Sequence, residues 1–282
     1  MIMTYNLRTT TYNMYKCSYI TILAIGLVFL FGNISLASEQ PTNNIVTLST
    51  EITENTETEL DIDARKQILI NILESSQTEI AGLKDRLSKL KLDNDEWKNI
   101  KEELLNNLTN FEDYSKDNID RINSTSTPIT IEDIKDLAKD LKDWRENKYT
   151  PELNRTSNMI LIFESANFLK ITQSRFDKIS ADIKKLDKQG MIKTSALKTY
   201  SIQIDKHLKN IRILNDSAKK LFLKSMAPAE EVATSTEEIL NQTAEAKTQE
   251  NLQDTIRKMI TDSLKELKIT YEIFFQMNLV KK

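Results

Sequence analysis

The apolar residues that follow residue 61 recur at helical rather than strand spacing. A first stripe, with intervals of three, four and seven residues, predicts a helix over residues 62–91 and comprises Leu69, Leu73, Ile80, Leu83, Leu87 and Leu90. The segment Asp93-Asn94-Asp95-Glu96 has the spacing of a capping box and predicts the start of a second helix, whose apolar face carries Trp97 and Leu104. These two helices should form a hairpin.

Four further helical segments follow, each with a recognisable start or end. Thr130 and Asp133 restart a helix, and Thr150-Pro151 marks another start because proline is favoured at the first helical position. Residues 153–186 are the most apolar and should form the central helix, residues 194–226 the next, and two capping boxes at residues 234–238 open the last. No stretch alternates long enough to indicate a strand. The prediction is an all-α fold, a single helical bundle of about five to seven helices with a long central helix.

One apolar core is expected to hold residues from all of these stripes, namely Leu87, Leu104, Ile134, Phe163, Ile183, Ile204, Leu214 and Met259. The C-terminal stripe continues through Tyr271, Phe274 and Met277, whereas Ile273, Phe275 and Leu279 lie off it. A neighbouring helix must cover the off-stripe residues if the protein is monomeric, because a large exposed apolar patch is unusual on a monomer. The sequence favours a monomer, and a dimer through the C-terminal helix is the alternative.

The N-terminal residues differ in character from the helical body. Residues 1–37 are predicted to be a signal peptide, because the apolar run at residues 20–31 is shorter than the ~20 residues of a membrane span and Ser35 and Ala37 fit a cleavage site after Ala37. An uncleaved N-terminal anchor is the alternative. Residues 38–60 are rich in Thr and Glu, lack a basic residue and are predicted to be a flexible, disordered polar tether. Residues 61–282 are then the all-helical domain.

The composition lacks most residues used in catalysis and metal binding. The only cysteine, Cys17, precedes the apolar run, so there is no lipobox cysteine after the signal and no thiol in the mature chain. The only histidine, His207, has no accompanying motif and is expected at the surface or its boundary. We therefore predict no catalytic, cofactor-binding or metal-binding residue and no small-molecule substrate; an enzyme with paired carboxylates is the alternative.

Charge and aromatic residues point to protein partners. The 39 basic and 42 acidic residues are interleaved and give a net charge of −3, which argues against nucleic acid as a partner. Trp144-Arg145 combines an aromatic ring with a guanidinium group, as binding hot spots often do, and the C-terminal Tyr271 and Phe275 lie in a segment that is apolar on more than one face. These four residues are the partner-binding candidates, and burial in the core is the alternative for Trp144.

One segment carries a family resemblance: Leu83-x-x-x-Leu87-x-x-Leu90-Lys91-Leu92-Asp93, Asp95-Glu96-Trp97, and Leu104 to Phe111-Glu112-Asp113-Tyr114. Together with the export signal and the polar tether, it resembles the plasmid-encoded outer-surface antigens of Borrelia, the family that includes the complement regulator-acquiring surface protein CspA. The resemblance implies an all-helical, non-enzymatic antigen on the outer surface. For some members it also implies binding of complement factor H or terminal complement components, and in the complement binder a C-terminal helix exchanged within a dimer.

The functional hypothesis combines these observations. The chain is expected to be an exported, surface-displayed, virulence-associated protein that binds a host protein during infection, and a complement component is one candidate. Members of the family carry a lipobox cysteine after the apolar run, whereas this chain has none there. A periplasmic helical envelope protein with a structural role is therefore the alternative.

Overall fold

The computed structural model describes the backbone of residues 62–124, 129–189, 194–226 and 238–279, and every regular element in these ranges is helical. The all-α prediction is confirmed. All of these residues belong to one compact unit, Leu60–Lys282. Three predicted features lie outside the described residues: the signal peptide (1–37), the tether (38–60) and the capping residues Thr234 and Ser235.

Helices α1 (Ile62–Ser88) and α2 (Asp95–Asn123) form the predicted hairpin. The N-cap of α2 is Asn94 rather than Asp93, the first residue of the predicted capping box, and the Asn94 side chain accepts a hydrogen bond of 2.8 Å from the Trp97 amide. At the end of α1, the Lys101 ammonium donates to the Ser88 carbonyl over 2.7 Å, which satisfies a carbonyl that the ending helix leaves free. The first helix ends three residues before its predicted boundary.

The chain then runs as one continuous helical segment through α3 (Ile131–Trp144), a π-helical turn (Arg145–Tyr149) and α4 (Thr150–Lys188). The predicted helix start at Thr150-Pro151 coincides with the start of α4, but no loop precedes it, because Tyr149 already has helical backbone angles and no side chain caps the helix there. Inside an α-helix the Pro151 ring would clash with the carbonyl four residues earlier. The wider turn, in which the Thr150 amide donates to the Arg145 carbonyl, relieves this conflict without ending the helix.

The predicted helix start at Thr130 and Asp133 is confirmed, and these two residues form a capping box. The Thr130 hydroxyl accepts a hydrogen bond from the Asp133 amide over 3.2 Å, and the Asp133 carboxylate accepts one from the Thr130 amide over 2.9 Å. Hydrogen bonds from the Thr130 side chain, and then from its backbone, hold the pKa of Asp133 below its usual value. A carboxylate is also favoured there by the helix dipole.

The C-terminal half of the body is a bundle of α4, α5 (Thr194–Met226) and α6 (Glu238–Leu279). At 39 residues, α4 is long enough to contact α5 and α6 along this bundle and also α1 and α2. It is the predicted central helix. In the described chain the body thus has five helical segments, if α3, the π turn and α4 count as one, in agreement with the predicted bundle.

Residues on the inner faces of this bundle recur at alternating intervals of three and four, the heptad spacing of coiled-coil packing. On α4 they are Asn158, Ile162, Ser165, Leu169, Thr172 and Phe176; on α5 they are Ile204, Leu208, Ile211, Asn215, Ala218, Phe222 and Ser225; on α6 they are Gln253, Ile256, Ile260, Ser263, Leu267, Thr270, Phe274 and Met277. All are buried except Leu169, which is half-buried. Because several of them are polar, the inner face of the bundle is wider than the apolar stripe alone indicates.

Several polar members of this pattern form hydrogen bonds to one another in layers across the bundle, although no described group accepts a hydrogen bond from Asn215 Nδ2. In one layer the Ser165 hydroxyl donates to Asn215 Oδ1 over 3.0 Å and lies 3.2 Å from the Ser263 hydroxyl, so all three helices contribute. In another, Asn158 Nδ2 donates to Gln253 Oε1 over 2.8 Å. Buried polar groups are tolerated where such partners exist.

The predicted single core is only partly correct. Leu87, Leu104, Ile134 and Ile204 are buried, but Phe163, Ile183, Leu214 and Met259 are half-buried. Ile204 lies in a cluster formed by α4, α5 and α6, with Ile183 packed against it, whereas Leu87, Leu104 and Ile134 are buried outside that cluster. The long helix α4 contributes to both buried regions. Residues that the sequence stripes assign to a single core therefore lie in different regions.

Candidate functional site

Trp144 and Arg145, two of the predicted partner-binding residues, are only 8% and 2% exposed. Arg145 lies in the π-helical turn, where its Nη1 donates to the Ser76 hydroxyl over 2.6 Å and its guanidinium carbon lies 4.9 Å from the centre of the Tyr149 ring. The Tyr149 hydroxyl donates to Glu79 Oε2 over 2.9 Å. These groups are therefore engaged in contacts between α1 and the helical segment that contains the turn.

Burial governs the ionisation of this cluster. It lowers the pKa of Arg145, although the nearby Tyr149 and Glu79 oppose the shift. It also raises the pKa of Tyr149, and the negative charge of Glu79 raises that pKa further. Tyr149 therefore stays neutral and serves as a hydrogen-bond donor over the whole physiological pH range.

Trp144 belongs to an aromatic cluster next to the same turn. Its ring stacks on Tyr114 with 4.4 Å between centroids, meets Phe111 edge-on at 5.6 Å and lies 4.7 Å from Tyr149. The cluster joins α2 to the junction of α3 and α4. Burial, together with the charge of Asp140, raises the pKa of the Tyr114 hydroxyl.

The two C-terminal candidates have different surroundings. Tyr271 is half-buried, and its hydroxyl accepts a hydrogen bond of 2.9 Å from Arg175 Nη1 on α4. Phe275 is 59% exposed, whereas Ile273, another off-stripe residue, is buried in the cluster formed by α4, α5 and α6; the side chain of the third, Leu279, lies outside the described residues. The expected cover by a neighbouring helix thus extends to Ile273 and not to Phe275. Of the four predicted binding residues, only Phe275 has a largely accessible side chain.

An open cleft between α4 and α5 was not predicted from the sequence. It has a volume of about 610 Å³; seven of its eight lining residues lie on α4, and Arg212 lies on α5. Ala166 and Leu169 supply apolar surface, and Lys170, Lys178 and Arg212 supply three cations. We call this feature the α4–α5 cleft.

The α4–α5 cleft carries an excess of positive charge. Its single carboxylate, Asp177, accepts a hydrogen bond of 2.9 Å from Gln173, another lining residue. No carboxylate of the described chain forms an ion pair with Lys170, Lys178 or Arg212. The cations are therefore available to an anionic group from outside.

The outer face of α5 borders this cleft and exposes large apolar side chains. Ile202 and Ile213 are 71% and 63% exposed, and eleven residues correspond to about three helical turns, so both lie on the same face. Lys206 and Lys209 are exposed between them. Helix α5 as a whole carries seven basic and two acidic residues, whereas α2 carries four basic and eight acidic ones. The near-neutral total charge thus conceals a basic face.

The histidine is a half-buried boundary residue, as predicted. His207 Nδ1 on α5 is in close contact with Glu266 Oε2 on α6, so the pair links two helices of the bundle. Among the described residues, no group of three or more His, Cys, Asp or Glu side chains is placed to hold a metal ion. None of the described helices is long and apolar enough to span a membrane.

The α4–α5 cleft and the adjoining face of α5 are therefore the candidate functional site. A sequence signal for part of it exists, since Ile202 and Ile213 fall outside the apolar stripe of α5 among lysines. The cleft itself requires the pairing of α4 with α5, which no local pattern contains. No protein-family model, characterised protein or solved structure matches this chain.

Proposed function

We propose that this chain is an exported, non-enzymatic protein of the cell's outer surface that binds a host protein through the outer face of α5 and the α4–α5 cleft. The exposure of Ile202 and Ile213 beside the cleft carries the proposal. The two isoleucines lie about 16 Å apart on one face of α5 with Lys206 and Lys209 between them, so a partner could use both as apolar contact points among cations. The resemblance to Borrelia outer-surface antigens supports a host protein as the partner, with a complement component as a candidate.

A serum pull-down with the full chain tests the binding function. The parent chain should enrich a defined host protein, and the double substitution Ile202→Ser and Ile213→Ser should abolish the enrichment because it removes exposed apolar area without touching the core. Phe275→Ser serves as the competing variant, since Phe275 is the exposed candidate on α6. If only Phe275→Ser abolishes binding, the site lies on α6. If the parent chain enriches no host protein, the binding function is wrong.

A structural role in the periplasm is the second candidate. It is favoured by the position of Cys17 ahead of the apolar run, where it cannot serve as a lipobox cysteine. Protease treatment of intact cells separates the two locations. A surface protein is cleaved at once, whereas a periplasmic protein survives until the outer membrane is opened.

A further inference from the structure

The α4–α5 cleft continues a groove that the protein itself fills further along. Near the start of α2, the Trp97 ring lies 5.0 Å from Phe163 on α4 and 5.6 Å from Phe222 on α5, so it packs at the junction of the two helices. Ala166, the first lining residue of the cleft, is one helical turn beyond Phe163 on α4. Among the described residues, the hairpin packs this junction at one level, whereas α4 and Arg212 of α5 line it at the next.

The dimensions of the cleft suit a helix. Its lining residues on α4 extend from Ala166 to Lys178, which at 1.5 Å per residue corresponds to about 18 Å, or roughly three helical turns. Sites for small ligands bury most of the ligand surface, whereas this cleft is open along its length. An extended partner with one apolar side matches it better than a compact molecule.

The residues that line the cleft indicate which charge a bound partner should carry. Apolar contact is available at Ala166 and Leu169, and it is flanked by the three unpaired cations Lys170, Lys178 and Arg212. Asp177 is the only carboxylate, and Gln173 donates a hydrogen bond to it. A partner that places apolar side chains toward Leu169 and carboxylates toward the flanking cations would satisfy both kinds of surface.

We propose that the α4–α5 cleft binds an acidic amphipathic α-helix of the partner protein. This inference rests on the proposed function and deepens it, because it states which part of the partner is recognised. The helix lies along the junction of α4 and α5, with apolar residues at spacings of three and four against Leu169 and Asp or Glu residues beside Lys170 and Arg212. It extends the row of helices that the α1–α2 hairpin begins.

Photo-crosslinking identifies the occupant directly. A photoreactive phenylalanine analogue replaces Gln173 inside the cleft, and a second protein carries it at Phe275 on α6. After illumination in serum, the crosslinked segment of the partner is sequenced. The expected segment at position 173 belongs to a host protein and has acidic residues around a helical apolar stripe.

Charge reversal tests the electrostatic part. Lys170→Glu with Arg212→Glu should weaken binding of the identified partner at least about tenfold and reduce its dependence on salt, because the flanking ion pairs are lost. Lys220→Glu with Lys258→Glu is the matched control, since both lysines are exposed and lie outside the cleft. Circular dichroism should show the same helix content for all of these proteins.

The possible outcomes separate this inference from the proposed function. Absence of any bound host protein contradicts the proposed function and the inference with it. Binding with crosslinks at position 275 and none at position 173 contradicts the inference alone. The inference alone is also contradicted by a crosslinked segment that is basic or non-helical, or by one that comes from a second copy of this chain. Equal weakening of binding by the matched control contradicts it as well.

Discussion

The region around the π-helical turn and the bundle of α4, α5 and α6 both bury polar side chains, but they satisfy them differently. Near the turn, the long side chains of Arg145 and Tyr149 reach across to α1, and Trp144 packs them among aromatic rings. In the bundle, short side chains such as Ser165 and Asn215 occupy heptad positions and pair within a layer.

This difference indicates what each region contributes. The aromatic cluster buries large rings and should therefore account for much of the stability of the N-terminal half. A layer of serine and asparagine contributes little net stability, because its hydrogen bonds mainly replace bonds to water. Buried polar residues at heptad positions can instead select the register of the helices, since any other register leaves them unsatisfied.

Trp144→Ala should give the largest effect, a loss of about 3–5 kcal/mol in the free energy of unfolding, because it leaves a cavity in the aromatic cluster. Urea denaturation followed by circular dichroism measures it. The matched control is Phe275→Ala, which removes an exposed ring and should change the stability by less than about 0.5 kcal/mol. Similar losses for both variants would contradict the importance of the cluster.

Asn215→Ala should have an intermediate effect, a loss of about 1–3 kcal/mol, because the Ser165 and Ser263 hydroxyls lose their shared acceptor inside the bundle. The triple variant Ser165→Ala, Asn215→Leu and Ser263→Ala should be at least as stable as the parent chain, since the whole layer becomes apolar. Hydrogen exchange and sedimentation equilibrium of the triple variant would report any loss of a unique register. A neutral Asn215→Ala variant would refute the layer as a coupled unit.

Tyr149→Phe should have the smallest effect at neutral pH, a loss of about 1 kcal/mol for the hydrogen bond to Glu79. The distinctive effect of this substitution on the free energy of unfolding is expected at alkaline pH. Burial raises the pKa of Tyr149 in the folded protein, so above pH 10 the unfolded chain releases the tyrosine proton while the folded chain keeps it. The stability of the parent chain should therefore fall as the pH rises above 10, and the fall should be shallower in the variant.

Denaturation curves measured at intervals between pH 9 and pH 11 check this difference. Tyr271→Phe is the matched control, because Tyr271 is only half-buried and its hydroxyl accepts its hydrogen bond from Arg175. An equally steep fall in the parent chain and in Tyr149→Phe would contradict the assignment to Tyr149.

Most helix positions could be predicted because their signals are local. Apolar periodicity and the capping residues Asn94 and Thr130 act within one or two turns, and α5 begins and ends at the predicted residues, Thr194 and Met226. The α-helix that begins at Thr150 was predicted for the same reason, but its continuity with the preceding helix was not. Proline is a valid start signal locally, but a π turn keeps the helix continuous at that point.

The candidate site was predicted less well, because exposure is a property of the assembled helices. Trp144-Arg145 has the composition of a binding hot spot, yet both residues pack against other helices. Phe275 is exposed as a binding residue must be, but the α4–α5 cleft depends on how two separate helices pack against each other. Only Ile202 and Ile213 could have been recognised from their place off the stripe.

By itself, the sequence determined that this protein is helical, where most of its helices begin and end, and that α4 is central. Only the tertiary structure decided how wide the buried face of each helix is and which polar residues it includes. Leu214 continues the apolar stripe and is half-buried, whereas its neighbour Asn215 is 2% exposed. The physical reason is that a polar side chain can be buried where partners on other helices satisfy it, and those partners become neighbours only when the bundle assembles.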